Sequence, residues 1–396
     1  MTTIRKSIAW VAGAQTALGI LDVVSTIICV RWFVTKADFG IATIAIALFP
    51  IVDRLGGMGF GAALIRDPED EDSAFWTNLV IAAALTGCLA IVPSVIATLL
   101  AAYAARGIVM AIGMVPEARM RRALRFDELA VIRVIAGVVD NSVKIAAAAA
   151  GQHIWCFVLG PIANTIVTTI LIQAREHYRP RLHWNRAHTR LRFVAALSGG
   201  EILYYVYTSA DYVVVGAAFG DAAVGVYRLA YELVIDVVRL VSMINAEVAY
   251  PVFVKTPPIE LPGVFTQFVR RNLLVLVPFF AFVMIASPWL LEALYGPMPP
   301  EAATASRILC IVGLLRSIGF LIPPLLAALN APARVLIYNA VAAVILPACF
   351  AIAAHLGHDF VAIAWAWAIG YPIAFATLLA LTRAPLSRAM RPAPAP

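Results

Sequence analysis

The chain is poor in charge. Only 13% of its 396 residues are Asp, Glu, Lys or Arg, whereas 62% are hydrophobic. A soluble fold of this length still exposes a polar shell that so few charges could not supply, so lipid is the expected solvent. Cysteine is scarce as well. Cys29, Cys88, Cys156, Cys310 and Cys349 stand singly inside apolar runs, and no two share metal-ligand spacing. No disulfide framework or zinc site is indicated. Long polar segments are missing too, which leaves no room for a soluble domain, and no Walker-type nucleotide motif is present. ATP hydrolysis by that route and many enzyme classes are thereby excluded.

What the chain has is long apolar runs. A membrane-spanning helix needs about 20 apolar residues, and runs bounded by charge or by Pro and Gly predict about twelve such helices. They lie near 8–30, 40–63, 74–92, 95–116, 131–150, 154–173, 193–216, 222–250, 271–291, 306–327, 334–354 and 360–381. The run from Ser7 to Val30 exceeds the apolar core of a signal peptide and has no small-residue cleavage site after it, so it reads as a retained first helix. The third and fourth helices share one apolar stretch, broken only by Pro93 and Arg106.

Lys and Arg orient these helices, because short loops rich in them stay on the cytoplasmic side. With the N-terminus inside, 20 of the 30 Lys and Arg fall in cytoplasmic segments; Arg31, Lys36 and Arg307 fall opposite. Both termini are therefore expected inside, at the inner membrane of a bacterium. The formal charge of +7 then marks topology and attraction to anionic headgroups, with no nucleic acid implied. The longest loop, 174–192, is basic, carries His177, His183, Trp184 and His188, and divides the chain. The expected organisation is a six-helix lobe over 1–174, a linker over 175–192, a second six-helix lobe over 193–383 and a tail over 384–396.

The two halves resemble each other at an offset of 185 residues. Gly40 aligns with Gly225, Ala45 with Ala230, Leu48 with Leu233, Arg54 with Arg239 and Met58 with Met243. In each half a short turn with an acidic residue leads into a helix carrying an Arg near its middle. Six-helix copies have both ends on one side, so the lobes would be parallel, around a central cavity with a substrate path between them.

Ionisable residues within helices cost roughly 2.5–3.5 kcal/mol each at the bilayer centre, so they should face the bundle interior or water. In the eighth helix Arg228, Glu232, Asp236 and Arg239 form one stripe; in the fifth, Arg133, Asp140 and Lys144 share a face beside Asn141. In the seventh, Glu201, Tyr204, Thr208 and Asp211 share a face near Tyr205 and Tyr207. Gln15 and Asp22 stand in the first helix, Asp53 and Arg54 in the second, and Arg316 in the tenth. Two readings stay open. One is mutual pairing, as of Arg228 with Glu232 or Asp140 with Lys144. The other is a hydrated cavity whose Arg54, Arg239, Arg133, Lys144, Arg228 and Arg316 attract an anion, because a guanidinium fork binds phosphate oxygens bidentately and keeps its charge. Tyr204, Tyr205 and Tyr207 would then stack on sugar faces, although tyrosines near a helix end are more often interfacial anchors. The carboxylates Asp22, Asp53, Asp140, Glu201, Asp211, Glu232 and Asp236 would pair with these cations or carry a coupling ion.

Gly56-Gly57-Met58-Gly59-Phe60-Gly61 follows no strand, and close helix packing explains it better than phosphate binding. His355 and His358, three apart, read as a solvated turn, as does the acidic run Asp67, Glu69, Asp70, Glu71 and Asp72. No metal site is expected.

The run from Ala37-Asp38-Phe39-Gly40 through Asp53-Arg54-Leu55-Gly56-Gly57-Met58-Gly59-Phe60 to Ala63-Leu64-Ile65-Arg66 resembles the second helix of the polysaccharide (O-antigen and exopolysaccharide, Wzx-type) flippases. These belong to the multidrug/oligosaccharidyl-lipid/polysaccharide exporter superfamily. Arg121-Arg122-Ala123-Leu124-Arg125-Phe126 is similar to their basic turn before the fifth helix. Ser209-Ala210-Asp211-Tyr212-Val213-Val214-Val215-Gly216 through Gly225-Val226-Tyr227-Arg228-Leu229-Ala230 resembles their seventh-to-eighth helix signature, and Tyr250-Pro251-Val252-Phe253 its cytoplasmic end. The resemblance implies a two-lobed, all-α, MATE-like membrane fold of twelve to fourteen helices working by alternating access. The implied cargo is a glycan on undecaprenyl diphosphate, moved from the cytoplasmic to the periplasmic leaflet. Arg54 and Arg239 become candidates for the diphosphate or acidic sugars. The compressed 74–116 region lacks residues that the family usually has there. No cofactor is expected, with H+ or Na+ as the candidate coupling ion, and the partners would be a polysaccharide polymerase and glycosyltransferases near a monomeric transporter. An ion-coupled exporter of small molecules is the alternative, although a cavity rich in Arg repels cationic drugs. A membrane-embedded glycosyltransferase would need outer loops longer than these.

Overall fold

In a bilayer every backbone N–H and C=O must find its partner within the chain, which leaves an apolar sequence of this kind only helices to form. The structure is a computed structural model that describes residues 2–56, 64, 71–182 and 187–389. Among these residues it is all α, with no strand. In chain order the helices are α1 (Thr2–Trp32), α2 (Lys36–Leu55), α3 (Glu71–Ala90), α4 (Val95–Arg122), α5 (Phe126–Ala149) and α6 (Cys156–Arg175). Then come α7 (Ala187–Phe219), α8 (Asp221–Lys255), α9 (Leu261–Tyr295), α10 (Pro300–Ala328), α11 (Ala333–Leu356) and α12 (Val361–Ala389). Nine of them, among the described residues, are long and apolar enough to cross a membrane. Gly57 to Ala63, Ile65 to Asp70, His183 and Trp184 lie outside the described residues, as do the side chains of Gln15, His188 and Met243.

The helix ends follow local chemistry. Thr35 caps α2 by accepting from the Asp38 amide at 3.1 Å, and Ser94 caps α4 by accepting from Ala97 at 3.1 Å. The break between the third and fourth predicted helices falls at Ile91–Ser94, around Pro93. Gly220, at φ +86°, makes the one-residue reversal between α7 and α8. That conformation is costly for any residue with a Cβ. Proline recurs inside helices, at Pro50, Pro116, Pro161, Pro251, Pro278, Pro288, Pro347 and Pro372. Packed neighbours can make good the hydrogen bond that each one removes.

Two compact units divide the chain, residues 1–205 and 206–396, with the boundary inside α7. In the first, α1 packs on α5, α2 and α3 on α4, and α4 and α5 on α6. Its core joins Phe49, Leu99, Tyr103 and Val158, with the Phe49 and Tyr103 rings stacked at 3.6 Å. In the second, α8 packs on α9 and α10, α10 on α12, and α11 on α12, around Phe253, Leu261, Phe268 and Leu321.

One end of the first unit is laced by charge. Glu71 pairs with Arg119 at 2.5 Å and with Arg122 at 2.5 Å. Glu176 reaches Arg125 at 3.2 Å, and Glu128 holds both Arg125 at 2.6 Å and Arg175 at 2.8 Å. These pairs tie together the ends of α3, α4, α5 and α6. The hydrogen bond from Arg125, helped by Arg175, brings the Glu128 carboxyl down to about 2. A carboxylate with a lowered folded-state pKa stabilises the fold above its unfolded value, near 4.5, and that contribution is lost as pH falls through the folded value. Glu128→Gln should therefore lower the melting midpoint of the detergent-purified protein at pH 7. Its gap from wild type should narrow below pH 4.5 and close near pH 2; a gap unchanged down to pH 2 would show that Glu128 holds nothing by charge.

Candidate functional site

The charges predicted inside the helices are brought together unit by unit. In the first unit Lys144 on α5 is 6% exposed. Its ammonium ion-pairs with Asp22 on α1 and hydrogen-bonds to the Ser25 hydroxyl at 3.2 Å and the Asn141 amide oxygen at 3.4 Å. The Asn141 side-chain N–H donates to the Gly137 carbonyl at 2.8 Å, which turns its oxygen toward the lysine. The pairing of Lys144 with Asp140, one turn away on the same helix, is not the one adopted. Asp140 lies half-buried against Gly160, where a Cβ would come within 2.4 Å of Oδ1. It accepts a 3.4 Å hydrogen bond from Asn164, and its Oδ1 has no partner.

On α2, Asp53 forms an ion pair with Arg106 of α4 and accepts from the Tyr103 hydroxyl at 2.8 Å. Arg106 also donates to Thr165 on α6 at 3.3 Å and lies 4.2 Å from the centre of the Tyr103 ring. In the sequence Arg106 reads only as a break in the apolar stretch shared by the third and fourth helices. Its spacing of three from Tyr103 was the available signal. Arg54 pairs with Glu201 at 2.5 Å, and Arg133 reaches Glu117 at 3.4 Å, a carboxylate that Arg121 also holds at 2.6 Å.

These groups border a cavity of about 490 Å³ within the first unit. Arg54, Arg106, Arg121 and Arg133 line it together with Asp53 and Glu117, four positive charges against two negative. The wall formed by α6 presents Asn164, Thr165, Thr168 and Thr169, and Asn78 enters from α3. Guanidinium groups and neutral hydrogen-bonding side chains of this kind can receive an anion and the hydroxyls attached to it.

The second unit treats its charges differently. Asp211 is 0% exposed and accepts from the Tyr227 hydroxyl at 3.0 Å, the Trp367 indole N–H at 3.0 Å and the Tyr212 amide at 2.9 Å. Arg316, 5% exposed, donates to the Tyr231 hydroxyl and faces the Trp367 ring at 5.0 Å. Trp367 thus stands between a buried carboxylate and a buried guanidinium, by its N–H on one side and its π face on the other. Tyr231 and Trp367 were not singled out in the sequence, and Tyr227 stands there only within the run that resembles the seventh-to-eighth helix signature.

The stripe on α8 is interrupted. One turn of wider, i to i+5 hydrogen bonding occupies Glu232–Asp236 and resolves the stripe into two pairs, Arg228 with Glu232 at 2.5 Å and Asp236 with Arg239 at 3.2 Å. Arg228 also lies 5.3 Å from the Tyr212 ring. Arg239, 58% exposed at its side chain, stands outermost. Tyr204 meets Tyr205 edge to face at 5.3 Å. His355 and His358 are exposed.

Solved structures share this fold. An inward-facing multidrug resistance MATE family transporter of the MOP superfamily matches with a TM-score of 0.73 and 13% identity, covering 94% of this chain and 95% of that one. The lipid II flippase MurJ, in its inward closed conformation, matches with a TM-score of 0.70 and 12% identity, covering 96% and 89%. Among sequences, the lipopolysaccharide biosynthesis protein WzxC of Escherichia coli (strain K12) is 24% identical over 347 residues, 82% of this chain and 69% of that protein. The succinoglycan biosynthesis transport protein ExoT of Rhizobium meliloti (strain 1021) is 25% identical over 243 residues, 58% of this chain and 49% of that protein. This chain spans about half of that second relative. The family model of polysaccharide biosynthesis proteins matches residues 30–298, and the chain, an all-α membrane protein, belongs to that family.

Proposed function

We propose that this protein is a flippase, carrying a glycan linked to a polyprenyl diphosphate from the cytoplasmic to the periplasmic leaflet by alternating access. The observation that carries the reading is the cavity of the first unit, with four arginines against two carboxylates beside a wall of Asn and Thr side chains. The net charge of that lining, four minus two, is +2, the complement of a diphosphate. The kinship with WzxC and ExoT, named for lipopolysaccharide and succinoglycan biosynthesis, supports a glycan cargo.

Both termini lie in the cytoplasm on this reading, as the distribution of Lys and Arg requires. Outward movement of an anion is then driven by an inside-negative potential, at about 2.3 kcal/mol per charge per 100 mV. Asp140, with one oxygen lacking a hydrogen-bond partner, is the carboxylate best suited to take up a coupling proton. The transporter works as a monomer beside the polymerase and glycosyltransferases that act on the same lipid.

The test is glycan export in a deletion strain carrying wild type, Arg54→Ala, Arg133→Ala or Arg239→Ala, with lipid-linked repeat units measured beside protein level. A hydrogen bond to a charged group contributes about 1.5–3 kcal/mol, so loss of a cavity arginine should slow export roughly tenfold to a hundredfold. Arg54→Ala and Arg133→Ala should accumulate repeat units more than the outermost Arg239→Ala. Normal export in the deletion strain itself would end the flippase reading and favour an exporter of small molecules.

Fold and function are separable at the Asp53–Arg106 pair. Breaking a buried pair from one side costs about 3–5 kcal/mol, while replacing both partners costs far less. Arg106→Leu should therefore lower the melting midpoint in detergent sharply, and Asp53→Asn combined with Arg106→Gln should recover most of it. If the double variant melts no higher than Arg106→Leu, the pair is not what holds α2 to α4.

A further inference from the structure

The arginines account for the charge of the first unit's cavity and leave one neutral group unexplained. Asn78 on α3 lines that cavity and is 4% exposed. Its side-chain N–H donates to the Met114 thioether at 3.5 Å, and its Oδ1 is buried with no partner. A thioether sulfur only accepts, so the N–H side of the amide faces Met114 and the group left over is an acceptor. A buried acceptor without a donor is costly, and in a native fold it calls for a reason. Arg106 Nε, also buried and unpartnered on this cavity, is the opposite case, a donor that a phosphate oxygen suits.

The α6 wall adds acceptors at the same level. Gly113 has no side chain, and a Cβ there would stand 3.2 Å from the Thr169 hydroxyl oxygen. The glycine thus lets α6 bring Thr169 close beside Met114. The Thr169 hydroxyl donates to the Val109 carbonyl at 3.4 Å, and the Thr168 hydroxyl to the Asn164 amide oxygen at 3.4 Å. With its proton so engaged, each hydroxyl oxygen still has lone pairs with which to accept. Asn78 and Thr169 therefore flank α4 at Gly113–Met114. That level is three residues, about 4.5 Å along the axis, from Glu117, the acid that Arg121 and Arg133 share.

A diphosphate cannot fill these places. Its ionised oxygens are acceptors, and an acceptor set beside Asn78 Oδ1 leaves both without a proton. What fits is a donor attached directly to the phosphate held at Arg133. In a lipid-linked glycan that donor is a ring hydroxyl or an acetamido N–H of the first sugar. We propose that Asn78 and Thr169 form the subsite for this first sugar and give the cavity its preference for loaded over bare polyprenyl diphosphate, an inference that rests on the flippase reading above. On binding, Asn78 gives up the weak contact to Met114, and its broad terminal torsion turns Oδ1 toward the sugar. The bare carrier brings no donor to this level, so only the loaded lipid gains from the contact.

The test measures binding to the full chain in detergent by titration calorimetry. Its two probes are polyprenyl diphosphate and the same lipid carrying one N-acetylglucosamine, a sugar with both kinds of donor. Wild type should bind the sugar-bearing lipid about tenfold more tightly, the factor that one satisfied buried acceptor supplies. Asn78→Leu and Thr169→Val should bring that ratio close to one, and Thr169→Ser, which keeps the hydroxyl, should retain it. Arg133→Ala should weaken both probes alike and leave the ratio unchanged. If Asn78→Leu and Thr169→Val melt like wild type and keep the tenfold preference, the subsite is overturned; should Asn78→Leu fail to fold, the two Thr169 variants decide. Equal binding of both probes by wild type would overturn the subsite and leave the flippase reading standing, whereas binding of neither would end both.

Discussion

A charge inside a membrane has to be answered by another group, and the architecture is organised around how it is answered. Lipid offers helices no hydrophobic reason to associate, because its chains are as apolar as leucine. Polar contacts between helices therefore fix which helix faces which. Lys144 and Asp22 set α5 against α1, and Arg106 and Asp53 set α4 against α2. These partners lie 122 and 53 residues apart in the chain. The lone polar residues of an apolar sequence thus work as long-range fasteners.

The two units solve the same electrostatic problem in different ways, and the difference bears on function. In the second, aromatic groups seal the charge. Asp211 and Arg316 are both buried, with the Trp367 ring between them. Three donors satisfy the carboxylate, and such a fully satisfied network is rigid. In the first, cations and carboxylates border open volume, and Arg121 and Arg133 share Glu117. Shared and partly solvated pairs of this kind are worth little individually and can exchange partners cheaply.

Much of the fold was legible in the sequence because its signals are strong and local. Apolar runs located the helices, and Pro93 marked the break between α3 and α4 within four residues. The offset of 185 residues between Arg54 and Arg239 placed each arginine on the helix that follows its unit's first turn. What could not be read was partner choice. Spacing alone favours Asp140 for Lys144, yet Gly160 lets α6 approach Asp140 so closely that its carboxylate faces a glycine, while α1 brings Asp22 to the lysine. The wide turn at Glu232–Asp236 leaves no mark in composition, and it splits a stripe that a uniform helix would have kept whole. Arg106 and Trp367 escaped for a related reason. Each acquires its role only from residues on other helices.

The pairing of every cavity arginine does not close the cavity to an anion. Glu117 serves two guanidinium groups, Arg121 at 2.6 Å and Arg133 at 3.4 Å, so it satisfies the second poorly. An incoming phosphate oxygen can take the Arg133 side without leaving Glu117 unpaired, because Arg121 still holds it. The exchange replaces a long contact by a short, charge-assisted one, and it strands no buried charge at any stage. A cavity with unpaired arginines would bear a desolvation cost in every turnover, and one with fully matched pairs would hold no net attraction for an anion. On the proposed reading, Asp53, Glu117 and Glu201 divided among four arginines keep the empty site stable and leave it short of the negative charge that a diphosphate brings.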